Sequence, residues 1–272
     1  MRKSILMTTF RRMFTSSRIY IAVALSVFLY FLMLFATYER INLFQGDVIT
    51  ALAEILSGTF TWLLYFAVIP AFAFAGVYAE DQIQGMVHFW TIRGGCRKYA
   101  VSQFVVSVVG GFLVAFVSMW LLIGILSTFM PLAIDYQGYF GSSAFATSLI
   151  NNPDGPRVFA YLLVQTSQYA LSAAMFSAFA AWIGSLIPDR LVVYASTVIL
   201  YFTCYYVLYL IPAFVQLPYD WYSALILWLS SMNDINGQWL TPYLLKLAAA
   251  LILFLLLGFF AQHNIVRRQR YE

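Results

Sequence analysis

The sequence predicts an all-α, polytopic membrane protein: six transmembrane helices in one domain spanning residues 1–272. Three observations predict this. Hydrophobic residues make up 62% of the chain and charged residues only 10%, against about 25% charge in a soluble domain. Apolar runs near the roughly 20 residues needed to cross a bilayer recur between short polar segments. Basic residues gather in alternate polar segments, which orients the runs.

Residues 1–18 read as a basic amphipathic helix. Leu6, Phe10, Met13 and Phe14 share one helical face, and Arg11, Arg12 and Arg18 share the other. Such a helix lies in the membrane interface with its arginines toward anionic headgroups. The next run is long enough to span and has no small-x-small cleavage site, so the segment is not expected to be the start of a signal peptide.

Spans are expected at about 19–38, 58–79, 100–129, 159–187, 191–213 and 241–261. Between the first two, Gly46 marks a turn. Pro70 should kink the second span. The third contains Gly110-Gly111 with Ser107 nearby, which permits close helix approach. The following loop ends in turn chemistry, Asn151-Asn152-Pro153-Asp154-Gly155-Pro156. The fourth span has a thin packing face at Ser177, Ala181 and Ser185, with Gln165 and Gln168 near its outer end. Pro188-Asp189-Arg190 makes a tight turn. The fifth carries Tyr194, Tyr201, Tyr205 and Tyr209 on one stripe, and Pro212 bends its outer end. Residues 215–240, with Trp221, Trp228 and Trp239, suit an interfacial or re-entrant element. The sixth places Lys246 near its outer end, where it can snorkel.

Of the 15 lysines and arginines, all but three lie in the N-terminal segment, the 80–99 loop, the 188–190 turn and the C-terminal tail. Only Arg40 and Arg157 lie in the opposite loops. Both termini and the 80–99 loop are therefore expected in the cytoplasm of a bacterium, with the chain multi-pass in its plasma membrane. The +4 net charge is a topology signal and gives no reason to expect nucleic acid.

Chemistry is sparse. No Gly-x-x-x-x-Gly-Lys-Ser/Thr loop is present to cradle ATP phosphates. His88 and His263 lack a second histidine at ligand spacing, so no metal site is expected. No catalytic serine elbow or zinc-protease motif occurs, and no catalytic residue is expected. No carboxylate lies mid-span, as proton or sodium coupling would require. Energy should therefore come from outside the membrane. Cys96 falls in a loop and Cys204 in a span, so no disulfide is expected.

The segment from Glu80 to Tyr99 stands apart. It holds dense charge around a short helix containing Met86, Phe89 and Trp90, closed by Gly94-Gly95. Its composition also fits an ordinary connecting loop. Its pattern, an acidic pair closing a span, a glycine, a short helix, then arginine, glycine, basic and aromatic residues, resembles the permease subunits of type-2 ATP-binding-cassette exporters. Glu80, Gly85, Arg93, Arg97, Lys98 and Tyr99 carry the resemblance. The pattern departs at Met86, Ile92 and Gln103, where the family often has threonine, proline and a basic residue. The likeness is strong over this motif and looser over the six-span layout.

The resemblance implies that this segment is a coupling helix docking into a groove of an ATPase subunit, with Glu80, Asp81, Gly85, Phe89, Trp90, Arg93, Arg97 and Lys98 as the coupling set. It implies two permease copies, identical or paralogous, and two ATPase copies. ATP and Mg would sit on the ATPase, and this chain would bind no cofactor. It further implies that spans two and five face the partner permease and line the cargo path. The candidates for that face are Trp62, Tyr65, Phe66, Tyr201, Tyr205 and Tyr209, and packing within the subunit is the alternative for the tyrosine stripe. The expected function is export of an amphipathic or hydrophobic cargo (peptide, drug or lipid) by alternating access. The alternative is a non-transporting membrane protein for immunity, signalling or assembly.

Overall fold

The computed structural model describes residues 5–36, 47–49, 51–52, 67–132, 155–207 and 240–271. Among them every long regular element is a helix: α1 (Ile5–Thr15), α2 (Ser17–Ala36), α3 (Ile69–Phe74), α4 (Val77–Ile83), α5 (Met86–Gly94), α6 (Cys96–Leu126), α7 (Gly155–Leu186), α8 (Arg190–Tyr205) and α9 (Leu240–Tyr271). Four of these, α2, α6, α7 and α9, are long and apolar enough to cross a membrane. At 1.5 Å per residue, the 31 residues of α6 reach about 46 Å, more than the ~30 Å hydrocarbon layer. The second and fifth expected spans are described only in part. The chain is thus an all-helical protein with the character of a membrane protein.

The centre of the bundle is the antiparallel pair α6–α7, the most extensive contact between described helices. Small residues set its closeness. A β-carbon at Gly111 would collide with the Ser177 hydroxyl, and one at Gly110 would lie 3.2 Å from the Met13 sulfur. The glycine pair and the thin face at Ser177 therefore do what their spacing predicts. Farther along, Trp120 donates its indole N–H to the Thr166 hydroxyl at 3.1 Å. α9 runs parallel to α7: Asn264 donates to the Ser185 hydroxyl at 3.1 Å, and Arg268 donates to the Leu186 carbonyl at 2.7 Å. One cluster joins Phe104 of α6, Ala178 of α7 and Ala261 of α9.

Three expectations change. The described part of the second span is helical from residue 67, with a π-helical pair at 67–68 just before Pro70, where a proline bends a helix, and Pro70 is not its only irregularity. The chain turns again at Ala75-Gly76, where a β-carbon on Gly76 would strike the Tyr194 hydroxyl at 2.6 Å. The second change is at α1, which does not simply rest on a membrane surface. Met13 is wholly buried among Ile19, Ala22, Phe74 and Val106, and Leu6 and Phe14 are exposed. The third is Lys246, which does not snorkel: it is 1% exposed.

Candidate functional site

One end of the bundle gathers the charge. The end of α4, all of α5, the start of α6, the end of α7, the start of α8 and the end of α9 meet there, with α1 laid across them. The organising residues are Glu80 and Asp81. Both fall inside α4, whose helix continues to Ile83, and both are buried, Asp81 completely.

A carboxylate taken out of water must be paired. Arg12 of α1 meets both oxygens of Asp81: Nη1 donates to Oδ2 at 2.9 Å, and Nη2 lies 2.7 Å from Oδ1. The Tyr99 hydroxyl donates to Oδ2 at 2.8 Å, and the Gln103 amide donates to the same oxygen at 3.1 Å. Glu80 pairs with Arg18 through Oε1, and the same oxygen lies 3.4 Å from Nε of Arg190. Burial pulls the Arg12 guanidinium down, but the hydrogen bond and charge of Asp81, with smaller help from Tyr99 and Glu80, more than offset it and leave its pKa raised. Two adjacent carboxylates thus hold three arginines from α1, the start of α2 and the start of α8.

This corrects the reading of the N-terminal arginines. Arg12 and Arg18 face internal carboxylates instead of headgroups, and Arg11 is the exposed member of the trio. It also relocates Glu80 and Asp81. Their contacts lie within the chain, so they position the neighbouring helix and do not present a surface. Position 103, where the resemblance leads one to expect a basic residue, holds a glutamine that donates to Asp81.

α5 follows as a separate block. Gly85, at φ 69°, precedes it, and Gly95, at φ 85°, ends it. Both lie in the left-handed region that favours glycine. A β-carbon at either would meet nothing within 4 Å, so conformation, not space, calls for glycine there. Gly94 stays helical. A β-carbon on it would run into the δ-carbon of Ile5, which places α1 against the end of α5.

The two faces of α5 are distinct. Val87 is buried and Trp90 half-buried, packed with Tyr78, Tyr99, Ala100 and Ile265 of α9. Met86, Phe89 and Ile92 lie on the other side at helical spacing, all exposed, with Ile92 at 76%. Ile83 at the end of α4 is exposed as well. The Arg93 guanidinium sits 4.9 Å from the centre of the Phe89 ring, a cation–π contact. Arg97 and Lys98 are exposed on the first turn of α6. The result is a short apolar ridge beside three basic side chains.

Of the expected coupling set, Phe89, Arg93, Arg97 and Lys98 are on the surface, and Gly85 shapes the approach. Trp90 packs inward. Ile83 and Ile92 belong to the ridge and are absent from the expected set, although Ile92 lies three residues after Phe89. The expected cargo face is only partly described. Trp62, Tyr65, Phe66, Tyr209 and the side chain of Tyr205 lie outside the described residues. Tyr201 is buried in the core that includes Tyr30, Met119 and Tyr169, and Tyr194 lies against Phe72, with ring centres 5.7 Å apart. At these two positions the stripe packs within the chain. Comparison of the chain with protein-family models, with curated proteins and with solved structures gave no match.

Proposed function

We propose that the chain is the membrane-spanning permease subunit of an ATP-driven exporter, with the basic end in the cytoplasm and α5 as the helix that docks on a separate ATPase. The observation that carries this reading is the ridge of Met86, Phe89 and Ile92 beside Arg93, Arg97 and Lys98. Apolar residues at helical spacing on a short exposed helix are the form in which a helix enters a groove. The adjoining basic residues would favour an acidic rim on that groove.

The buried clamp supports the same reading. α5 is followed directly by α6, its inner face rests on α9, and its end touches α1. A push on α5 would therefore reach several long helices together. In the full reading, six spans form each subunit, two subunits pair, and two ATPases tilt the bundles between inward- and outward-open states, a rigid-body transition. ATP and Mg would remain on the ATPase.

The test is to purify the protein from its own host and identify any co-purifying ATPase by mass spectrometry. Replacing Phe89 and Ile92 by Asp should then abolish co-purification and leave the folded protein in the membrane. Finding no ATPase with the unaltered protein would favour the non-transporting alternative. Finding one that the Phe89/Ile92 variant retains would move the docking site elsewhere.

A further inference from the structure

We propose that Arg11, Lys98 and Arg267 form a belt of side chains that binds the headgroups of anionic phospholipids around the charged end of the bundle. Three observations carry this. The first is that the three residues stand at one level on three helices. Arg12 and Tyr99 both bond to Asp81, which sets Arg11 and Lys98 at the same height. Ile265 of α9 packs against the same Tyr99, and Arg267 follows two residues later. All three basic side chains are exposed.

The second is that each of them closes an apolar face turned away from the bundle. On α9, Ile252, Leu256 and Phe260 are exposed at helical spacing, and Arg267 lies about 10 Å beyond Phe260 on the same face. On α6, Lys98 shares a face with Val101, Val105 and Val109, which are exposed or half-buried. On α1, Arg11 lies between exposed Met7 and Phe14, and the exposed face of α2 follows with Ile21, Leu25 and Phe28. Tyr20, exposed where α2 begins, donates its hydroxyl to the Phe14 carbonyl at 2.8 Å. An amphipathic ring in that place suits the boundary between hydrocarbon and headgroups. These faces open in different directions. α2 meets α6 on the side of Val106 and Val114, whereas α9 meets it on the side of Phe104 and Val108. A partner helix would cover one such face, and a bilayer covers all of them.

The third is the sign of the charge. None of the three belongs to an ion pair among the described residues. The carboxylates of this end, Glu80 and Asp81, are buried and held by Arg12, Arg18 and Arg190. Asp189 is the one exposed carboxylate among the described residues, and its Oδ1 accepts the N–H groups of Leu191 and Val192. Exposed cations that end apolar faces are the arrangement that attracts an anionic leaflet. The usual attraction per basic residue corresponds to a preference of about fivefold for an anionic headgroup. The long stems of lysine and arginine let the three charges reach the phosphates from slightly different depths. Lys98 is thereby assigned to lipid, whereas Arg93, stacked on Phe89, stays with the ridge on α5. The belt requires only that the chain cross a membrane and stands whether or not an ATPase docks on α5.

The experiment uses the full chain in phosphatidylcholine bilayers, with spin-labelled phosphatidylglycerol and spin-labelled phosphatidylcholine as probes. Electron spin resonance reads how much of each is held at the protein surface. Phosphatidylglycerol should be preferred several-fold, and the preference should fall as salt is raised, because exposed charges are screened. The triple variant Arg11→Gln/Lys98→Gln/Arg267→Gln should bring the preference close to unity, and each single Gln variant should lower it in part. Their unfolding midpoints should hardly move, since exposed side chains are replaced. The variant Arg11→Lys/Lys98→Arg/Arg267→Lys should keep the preference. With Cys96 and Cys204 changed to Ser, a fluorophore on Ile252→Cys should be quenched by brominated lipid. Four results would overturn the proposal: no preference in the unaltered chain, a preference that survives the triple Gln variant, one indifferent to salt, or an Ile252 label shielded from lipid by another chain.

Discussion

Asp81 and Gln168 are both polar, both wholly buried and both within helices, and the protein treats them in opposite ways. Around Asp81 the chain has assembled Arg12, Tyr99 and Gln103. Around Gln168, among the described residues, nothing hydrogen-bonds to the amide. A buried polar group with partners drawn from other helices is a fastener, since removing any partner strands the rest. A buried polar group without partners contributes no fastening at all. Its presence weakens the fold.

The largest expected effect tests the fastener. Arg12→Ala leaves the Asp81 carboxylate buried without its cation and should destabilise the protein by about 3 kcal/mol or more. The check is thermal or denaturant unfolding in detergent. The double variant Arg12→Ala/Asp81→Asn should recover part of that loss, because the stranded charge is gone. Additive effects would mean that the pair does not act as a unit.

Next comes the close approach at the centre of the bundle. Gly111→Ala forces a methyl into the Ser177 side chain and should cost about 1–3 kcal/mol. Ser177→Gly in the same molecule should restore most of it. An undiminished midpoint in Gly111→Ala alone would show that the two helices can separate without penalty.

The contrast between fastened and unfastened groups is sharpest at two glutamines. Gln103→Leu removes a donor to Asp81 and should cost about 1–2 kcal/mol. Gln168→Leu removes an amide with no hydrogen-bond partner among the described residues and should cost nothing or stabilise. Equal destabilisation by both would erase the distinction between them. The smallest effect belongs to the surface ridge. Phe89→Ala should change stability by no more than about 0.5 kcal/mol, while lowering ATPase binding if α5 docks as proposed.

The helical class was legible in the sequence because an apolar run of bilayer length can satisfy its own backbone only as a helix. The glycine contacts were legible because small residues at helical spacing have one common use. The division of α5 into an inner face at Val87 and Trp90 and an outer ridge at Met86, Phe89 and Ile92 was not legible, since nine residues with apolar side chains on both sides give no clear direction. Nor was the clamp. Arg12 and Asp81 stand 69 positions apart, and no local pattern announces that they meet. The basic face of α1 fits lipid headgroups and internal carboxylates equally well on charge alone. Lys246 is a related case: a long side chain near a span end can reach water, and only packing shows that it does not.

The seat of Ile5 on Gly94 bears on how the protein should be handled. The β-carbon that Gly94 lacks is the space Ile5 fills, so the beginning of α1 lies beside the ridge on α5. Any affinity tag, fluorescent protein or linker joined ahead of α1 would be delivered to the surface where a partner is sought. Such a fusion would report a false absence of binding.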